Sequence, residues 1–155
     1  MAERPVRRVV LAAVIGLVLT VVLLGVPMAM AQLFPYTRYC GEYTGCLGYI
    51  VVAWEYGRWA ALAAAWPLLR LLGVRPSWQT ALLAALYAAA IWRIAEALVH
   101  LYLGGAVYLV LLSGLLAFAA AAWLTTPRIS RSVLVNGVAL APALYAFATL
   151  AIGEL

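Results

Sequence analysis

Apolar residues in this chain come in long unbroken runs, and short segments that contain Arg, Pro or Gly separate the runs. A helix needs about 20 apolar residues to cross the hydrocarbon of a bilayer. The pattern therefore predicts an all-α fold, a polytopic membrane helix bundle that forms one integral membrane domain. Its five expected spans and one larger outer loop lie at approximately 9–31, 50–73, 78–103, 106–124 and 132–152, with the loop at 32–49.

The first apolar run has a second interpretation, as a secretory signal peptide. Arginines precede the run from Val9 to Val26, and Ala29-Met30-Ala31 follows it as a small-x-small cleavage site. The run has 18 residues, which is longer than the usual signal-peptide core of roughly 7–15 residues. We expect a retained first helix, whereas cleavage after Ala31 would leave four spans. The N-terminal arginines hold the N-terminus inside in either case.

Chain breakers set the other boundaries. A second helix that begins at Leu47 would be roughly 40 Å long, so it must tilt or lie partly at the interface. Gly73 is expected to end it, and Ser77 is the expected N-cap of the third helix. Gly104 and Gly105 are expected to form a tight turn between the third and fourth spans.

Composition and charge support a membrane location. The chain is 68% hydrophobic, whereas a soluble domain is about half apolar. It contains ten Arg, no Lys, five Glu and no Asp, and seven of the Arg fall in segments predicted to face inward. Arginines at helix ends do not form a phosphate-binding patch, so no nucleic-acid partner is expected. The Arg-only, Ala- and Leu-rich usage indicates a prokaryotic inner membrane protein, which has the lipid bilayer as its surroundings. Five spans that start from an inside N-terminus place the C-terminus outside.

A group of charged residues lies inside the second and third predicted spans. Arg93, Glu96 and His100 share one face of the third helix, while Glu55 and Arg58 lie three residues apart in the second. Counting helix rise from the inner ends places Arg58 and Arg93 at similar depths, about 22 and 24 Å. Because a charge at the centre of a span costs roughly 2.5–3.5 kcal/mol, we expect the arginines and glutamates to pair between the helices.

The charge group supports several interpretations. It could form a ligand-binding polar site open to the outside, with Glu55, Arg58, Arg93, Glu96 and His100 as candidate ligand-binding residues. Glu96 and His100 are also candidate catalytic or proton-relay residues. Alternatively, the charges form a neutralised network that locks the second helix to the third, or Glu55 and Arg58 extend to the headgroup level.

The outer loop contains both cysteines of the chain, Cys40 and Cys46. Their spacing is not a CxxC redox motif, so a disulfide is expected if the loop faces an oxidising compartment. His100 is the only histidine, so no metal site and no cofactor are expected. The sequence also lacks a P-loop, a dinucleotide-binding glycine motif, an HExxH motif and a nucleophile elbow.

The leading functional hypothesis is a small non-enzymatic membrane protein, either an accessory subunit or a stabilising or protective partner of a membrane complex. Small residues in the second and fourth spans favour close helix packing, inside the bundle or with a partner or second copy. Ser113 and Asn136 are single polar residues in spans, which are typical of interhelical hydrogen bonds. The alternatives are a transporter or channel-like protein with an outward-facing polar site, and an enzyme acting on a lipid-type substrate at the outer leaflet.

Overall fold

The computed structural model describes residues 5–41, 45–99, 103–126 and 129–153. The chain is all-helical, with 85% of its residues in helices and no strand in these ranges. A π-helical turn at Ala53–Gly57 joins two α-helical segments into one continuous helical rod over residues 47–71. The α-helices are α1 (Pro5–Leu33), α2 (Leu47–Val52), α3 (Arg58–Leu71), α4 (Ser77–Val99), α5 (Leu103–Leu124) and α6 (Arg131–Gly153).

Three helices are long and apolar enough to cross a membrane, over Val6–Leu33, Ser77–Leu98 and Ser132–Leu150, and α5 contributes a shorter apolar segment, Tyr108–Leu124. The all-helical class is confirmed, and the first, third and fifth of the five expected spans correspond to these three long apolar helices. The turn predicted at Gly104 and Gly105 is wrong, because both glycines lie in the first turn of α5. Their lack of a side chain permits a turn but does not require one.

The end of α3 matches the boundary expected at Gly73. This residue has a φ of 75°, a conformation that favours glycine. Its N–H donates to the carbonyl of Arg70 at 3.2 Å, and the N–H of Val74 donates to the carbonyl of Leu69 at 2.9 Å. These two bonds form a Schellman motif, which satisfies carbonyls that the helix end would leave unpaired. Val74 and Leu69 are also buried together, which completes the hydrophobic part of that motif.

The start of α4 differs from the expectation for Ser77. That residue is the first of the helix rather than the cap before it, and its hydroxyl makes no hydrogen bond within the described part of the chain. Thr80 serves the helix end instead. Its N–H and its hydroxyl both donate to the carbonyl of Pro76, at 3.2 and 2.9 Å.

Helix α4 lies at the centre of the packing. It contacts α5, α6 and α3, while α1 packs against α5 and α3, and α6 makes almost all its contacts with α4. Small side chains let these helices approach closely. The buried residues that join them include Ala12, Ala65, Ala84, Ala88, Ala117, Ala121, Ala122 and Ala141. The small residues predicted to favour close packing in the fourth span are therefore buried or half-buried in the bundle, whereas Ala60, Ala63 and Ala64 of the second span are exposed.

The closest helix crossing joins α1 to α5. A methyl group on Gly16 would overlap the carbonyl of Gly114, and one on Gly114 would overlap the carbonyl of Gly16 and the hydroxyl of Thr20. Thr20 itself donates to the Gly16 carbonyl at 3.0 Å. The two backbones are in direct contact, an approach that only glycine at both positions permits.

The loop between α1 and α2 is closed by the disulfide expected between Cys40 and Cys46. The N–H of Gly41 donates to the carbonyl of Gly45 at 2.7 Å, and the N–H of Gly48 donates to Tyr39 at 3.2 Å. The Tyr39 and Tyr49 rings lie 5.2 Å apart. The disulfide therefore holds an aromatic loop folded over one end of α1.

Replacing both cysteines with serine is expected to lower the free energy of unfolding by about 2 kcal/mol. Loss of the bond increases the conformational entropy of the unfolded chain, and the increase is modest because the closed loop is short. Thermal unfolding of the detergent-solubilised protein would measure the change. Wild-type protein in a strong reductant should match the double variant. A reductant effect that persists in the double variant would show that the bond is not its cause.

Candidate functional site: two arginines on one carboxylate

The site begins at the π-helical turn. Residues Ala53–Gly57 form this turn between α2 and α3, and it carries Trp54 and leads directly into Arg58. One extra residue in a helical turn changes which side chains face a neighbour, and such turns occur frequently at functional sites. Here Trp54 and Arg58 both reach across to α4.

Glu96 on α4 is the centre of the site. Its Oε1 accepts hydrogen bonds from Nη1 of Arg58 at 3.1 Å and from Nε1 of Trp54 at 3.2 Å. Its Oε2 accepts one from Nη1 of Arg93, one helical turn away, at 2.8 Å. The side chains of Arg58, Glu96 and Arg93 are 22%, 32% and 34% exposed. One half-buried carboxylate therefore serves two guanidinium groups and joins the start of α3 to α4.

Aromatic rings surround the charged group. The Arg58 guanidinium lies 5.4 Å from the Trp54 ring and 5.3 Å from the Trp59 ring, within cation–π range. Trp54 in turn meets Trp92 edge to face, with ring centres 5.7 Å apart. The indole N–H of Trp92 donates to the Ser113 hydroxyl at 3.0 Å. The cluster therefore extends from α3 through α4 to α5, and Ser113 makes the interhelical bond expected of it.

A cavity of about 110 Å³ adjoins the charge cluster. Tyr145 brings α6 to its wall. The Nε atoms of Arg58 and Arg93 are buried and have no hydrogen-bond partner among the described residues. The residues that line the cavity are Arg58, Trp59, Ala89, Trp92, Arg93, Glu96 and Tyr145.

The structure brings together three of the five candidate ligand-binding residues. Arg58, Arg93 and Glu96 form the cluster, and both arginines reach the same carboxylate, as the similar depths expected for Arg58 and Arg93 require. Glu55 is exposed and makes no ion pair in the described ranges. His100 lies outside the described residues. The cluster as described therefore has two cations and one anion, rather than the two balanced pairs expected.

The role of Trp54 was not predicted from the sequence. Its position four residues before Arg58 was a usable signal, because residues at that spacing share a helix face. Its indole N–H donates a hydrogen bond to Glu96, and its ring lies against the Arg58 guanidinium.

A second polar cluster lies at the opposite end of the helices, where sequence analysis assigned Arg8 only to topology. Arg8 is 5% exposed. Its Nη2 donates to the hydroxyls of Thr125 at 2.5 Å and Thr80 at 3.4 Å. The two hydroxyls lie 3.0 Å apart. Arg8 therefore ties the start of α1 to the start of α4 and the end of α5.

The fold and the cluster define an all-helical protein with three helices able to span a membrane and an arginine-rich polar site between its helices. No protein-family model matches the chain, and no curated protein and no solved structure is significantly similar to it. A fold hosts many functions in any case, so the function has to be argued from the site and the exposed surfaces.

Proposed function

We propose that this chain is a multi-pass protein of a prokaryotic inner membrane, with five spans, an inside N-terminus and an outside C-terminus, and that it acts without catalysis as an accessory or stabilising subunit of a membrane complex. Two observations support the membrane location. Large apolar side chains are exposed along α1 and α6, which lipid would cover. Arg8, Arg70 and Arg75 lie at one end of the helices, as an inward-facing end requires.

The accessory role is supported by the free face of α6. This helix meets the bundle through one side, where Ala141 and Ala148 are buried against it. Diametrically opposite is a row of small and polar residues at spacings of four and three, all of them exposed. We call this row the α6 stripe, and it consists of Ser132, Asn136, Ala139, Ala143 and Ala146.

Asn136 is the observation that carries the proposal. Its side chain is exposed, and it makes no hydrogen bond within the described residues. An amide on the lipid-facing side of a span has no partner in hydrocarbon, whereas a second helix packed on a small-residue row can supply one. In this proposal, the interhelical bond expected for Asn136 forms with a helix of another protein.

An Ala139→Phe substitution is expected to dissociate the partner subunit, because a large ring in the middle of the α6 stripe prevents close helix approach. Asn136→Leu is expected to weaken the complex by about 0.6 kcal/mol, the average interhelical bond. The measurement is an affinity pull-down from native membranes in a mild detergent, with intact-mass analysis of what elutes.

The matched control is Leu140→Phe, which adds the same ring at the next residue, on an exposed position outside the α6 stripe. It should leave the partner bound. A complex that contains only copies of this chain would contradict the accessory role while retaining the α6 stripe as an interface. A monomer in wild-type membranes would contradict both.

The charge cluster supports a second candidate function, a transporter or channel-like protein with a polar site at Arg58, Arg93 and Glu96. The cavity beside these residues is the observation in its favour. The enzymatic alternative receives less support, because Glu96 as an acid or base would first have to leave three hydrogen-bond donors.

A further inference from the structure

The charge cluster has more hydrogen-bond donors than acceptors. Each guanidinium carries five N–H groups, and Arg58 and Arg93 each use one of them on Glu96. Glu96 also accepts from Trp54, so its two oxygens already hold three donors. The second terminal nitrogen of each arginine makes no hydrogen bond within the described chain. The buried Nε atoms of both arginines also lack a hydrogen-bond partner within the described chain. A buried donor left unpaired costs roughly 1–3 kcal/mol, so the cluster calls for a further acceptor.

The cluster also has an uncompensated positive charge. Among the described residues, two arginines face one glutamate, and the other carboxylate on the same helical rod, Glu55, is exposed and outside the ion pairs. Because a cation in a partly desolvated site favours an anionic neighbour, the missing acceptor is best supplied by an anion.

The cavity limits the size of that anion. Its volume of about 110 Å³ corresponds to a few water molecules, each of which takes about 30 Å³ in the liquid. A phosphate group fits such a space and a whole lipid does not. Arginine also matches phosphate geometry, because its planar fork can donate two parallel hydrogen bonds.

The aromatic residues around the cluster indicate its level in the bilayer. Tyr56 and Trp59 are exposed beside Arg58, and Tyr145 is exposed on the facing helix. Tyr and Trp side chains concentrate at the headgroup level of a membrane. The cavity therefore opens where lipid phosphates lie.

We propose that Arg58 and Arg93 bind a phosphate group in this cavity, between α3, α4 and α6. The shared chemistry is a phosphate anion, carried either by a phospholipid headgroup or by a free phosphate. This inference rests on the membrane location proposed above but not on the accessory role. Loss of partner binding would leave it intact, and loss of phosphate binding would leave the partner complex intact.

The test measures phosphatidylglycerol retained by the purified protein after mild delipidation, by native mass spectrometry. Wild type is expected to retain it, and Arg93→Gln to bind it about tenfold more weakly, as one lost charge-assisted contact predicts. Arg93→Lys is expected to lie between them, because it keeps the charge but loses the fork. Unfolding would be monitored in each variant, and the Lys variant keeps the test valid if the Gln variant fails to fold.

The matched control is Arg38→Gln. Arg38 is exposed in the segment between α1 and α2 and does not line the cavity, so this variant should retain the lipid as wild type does. If Arg38→Gln and Arg93→Gln lost equal amounts of bound lipid, the cause would be the net surface charge and not the cavity, and the proposal would be overturned.

Inorganic phosphate distinguishes the two sources of the anion. If millimolar phosphate does not displace the lipid, the ligand is a headgroup. If phosphate displaces it and binds the lipid-free protein, with a change in tryptophan fluorescence that Arg93→Gln abolishes, the ligand is a free phosphate. If wild type binds neither the lipid nor inorganic phosphate more tightly than Arg93→Gln does, the proposal is overturned.

Discussion

Gly16→Ala is expected to destabilise the protein by about 3 kcal/mol, the upper part of the range for overpacking a tight core. The added methyl group would overlap the backbone carbonyl of Gly114. A backbone cannot rotate out of the way as a flexible side chain can, so α1 and α5 would have to separate. That separation disturbs the contact between two helices that pack along much of their length. Denaturant-induced unfolding in detergent micelles would measure the change in free energy.

Gly25→Ala is the matched control, because it makes the same substitution in the same helix. A methyl group at Gly25 meets nothing within 4 Å. This variant should be neutral or stabilised by up to roughly 1 kcal/mol, since Ala has the higher helix propensity. If the two variants behaved alike, the close crossing of α1 and α5 would not exist in the folded protein.

Glu96→Leu is expected to lower the free energy of unfolding by about 2 kcal/mol. It leaves Arg58 and Arg93 without the carboxylate that both now use. Removing one partner of a fully buried ion pair costs roughly 3–5 kcal/mol, and exposure of about a third of the Glu96 side chain reduces that figure through solvent screening. Unfolding of the reconstituted or detergent-solubilised protein measures it.

Glu55→Leu provides the comparison for this prediction. Glu55 lies in the π-helical turn, close along the chain to Arg58, but it is exposed and unpaired within the described residues. Its replacement should change the stability by no more than a few tenths of a kcal/mol. Equal effects at the two glutamates would mean that the cluster does not hold α3 to α4.

Much of the candidate site could be predicted because a helix has a fixed rise. Two helices joined by the short segment at Gly73 and Pro76 run antiparallel, so positions at equal distances from that turn meet. Counting residues was enough to place Arg58 beside Arg93 and Glu96. The four-residue spacing puts Trp54 on the same helix face as Arg58, but the π-helical turn that directs both side chains towards α4 leaves no trace in the apolar pattern.

The sequence by itself determined the all-helical class, three of the five expected spans as long apolar helices, the disulfide and the glycine-terminated end of α3. Each of these depends on neighbouring residues along the chain. Only the tertiary structure decided that α1 pairs with α5 through Gly16 and Gly114, and that Arg8 joins Thr80 to Thr125. Residues about a hundred positions apart in sequence leave no periodic signal of their meeting. Which helices become neighbours depends on how the shapes of their surfaces fit, and a long apolar helix offers many faces of nearly equal hydrophobicity.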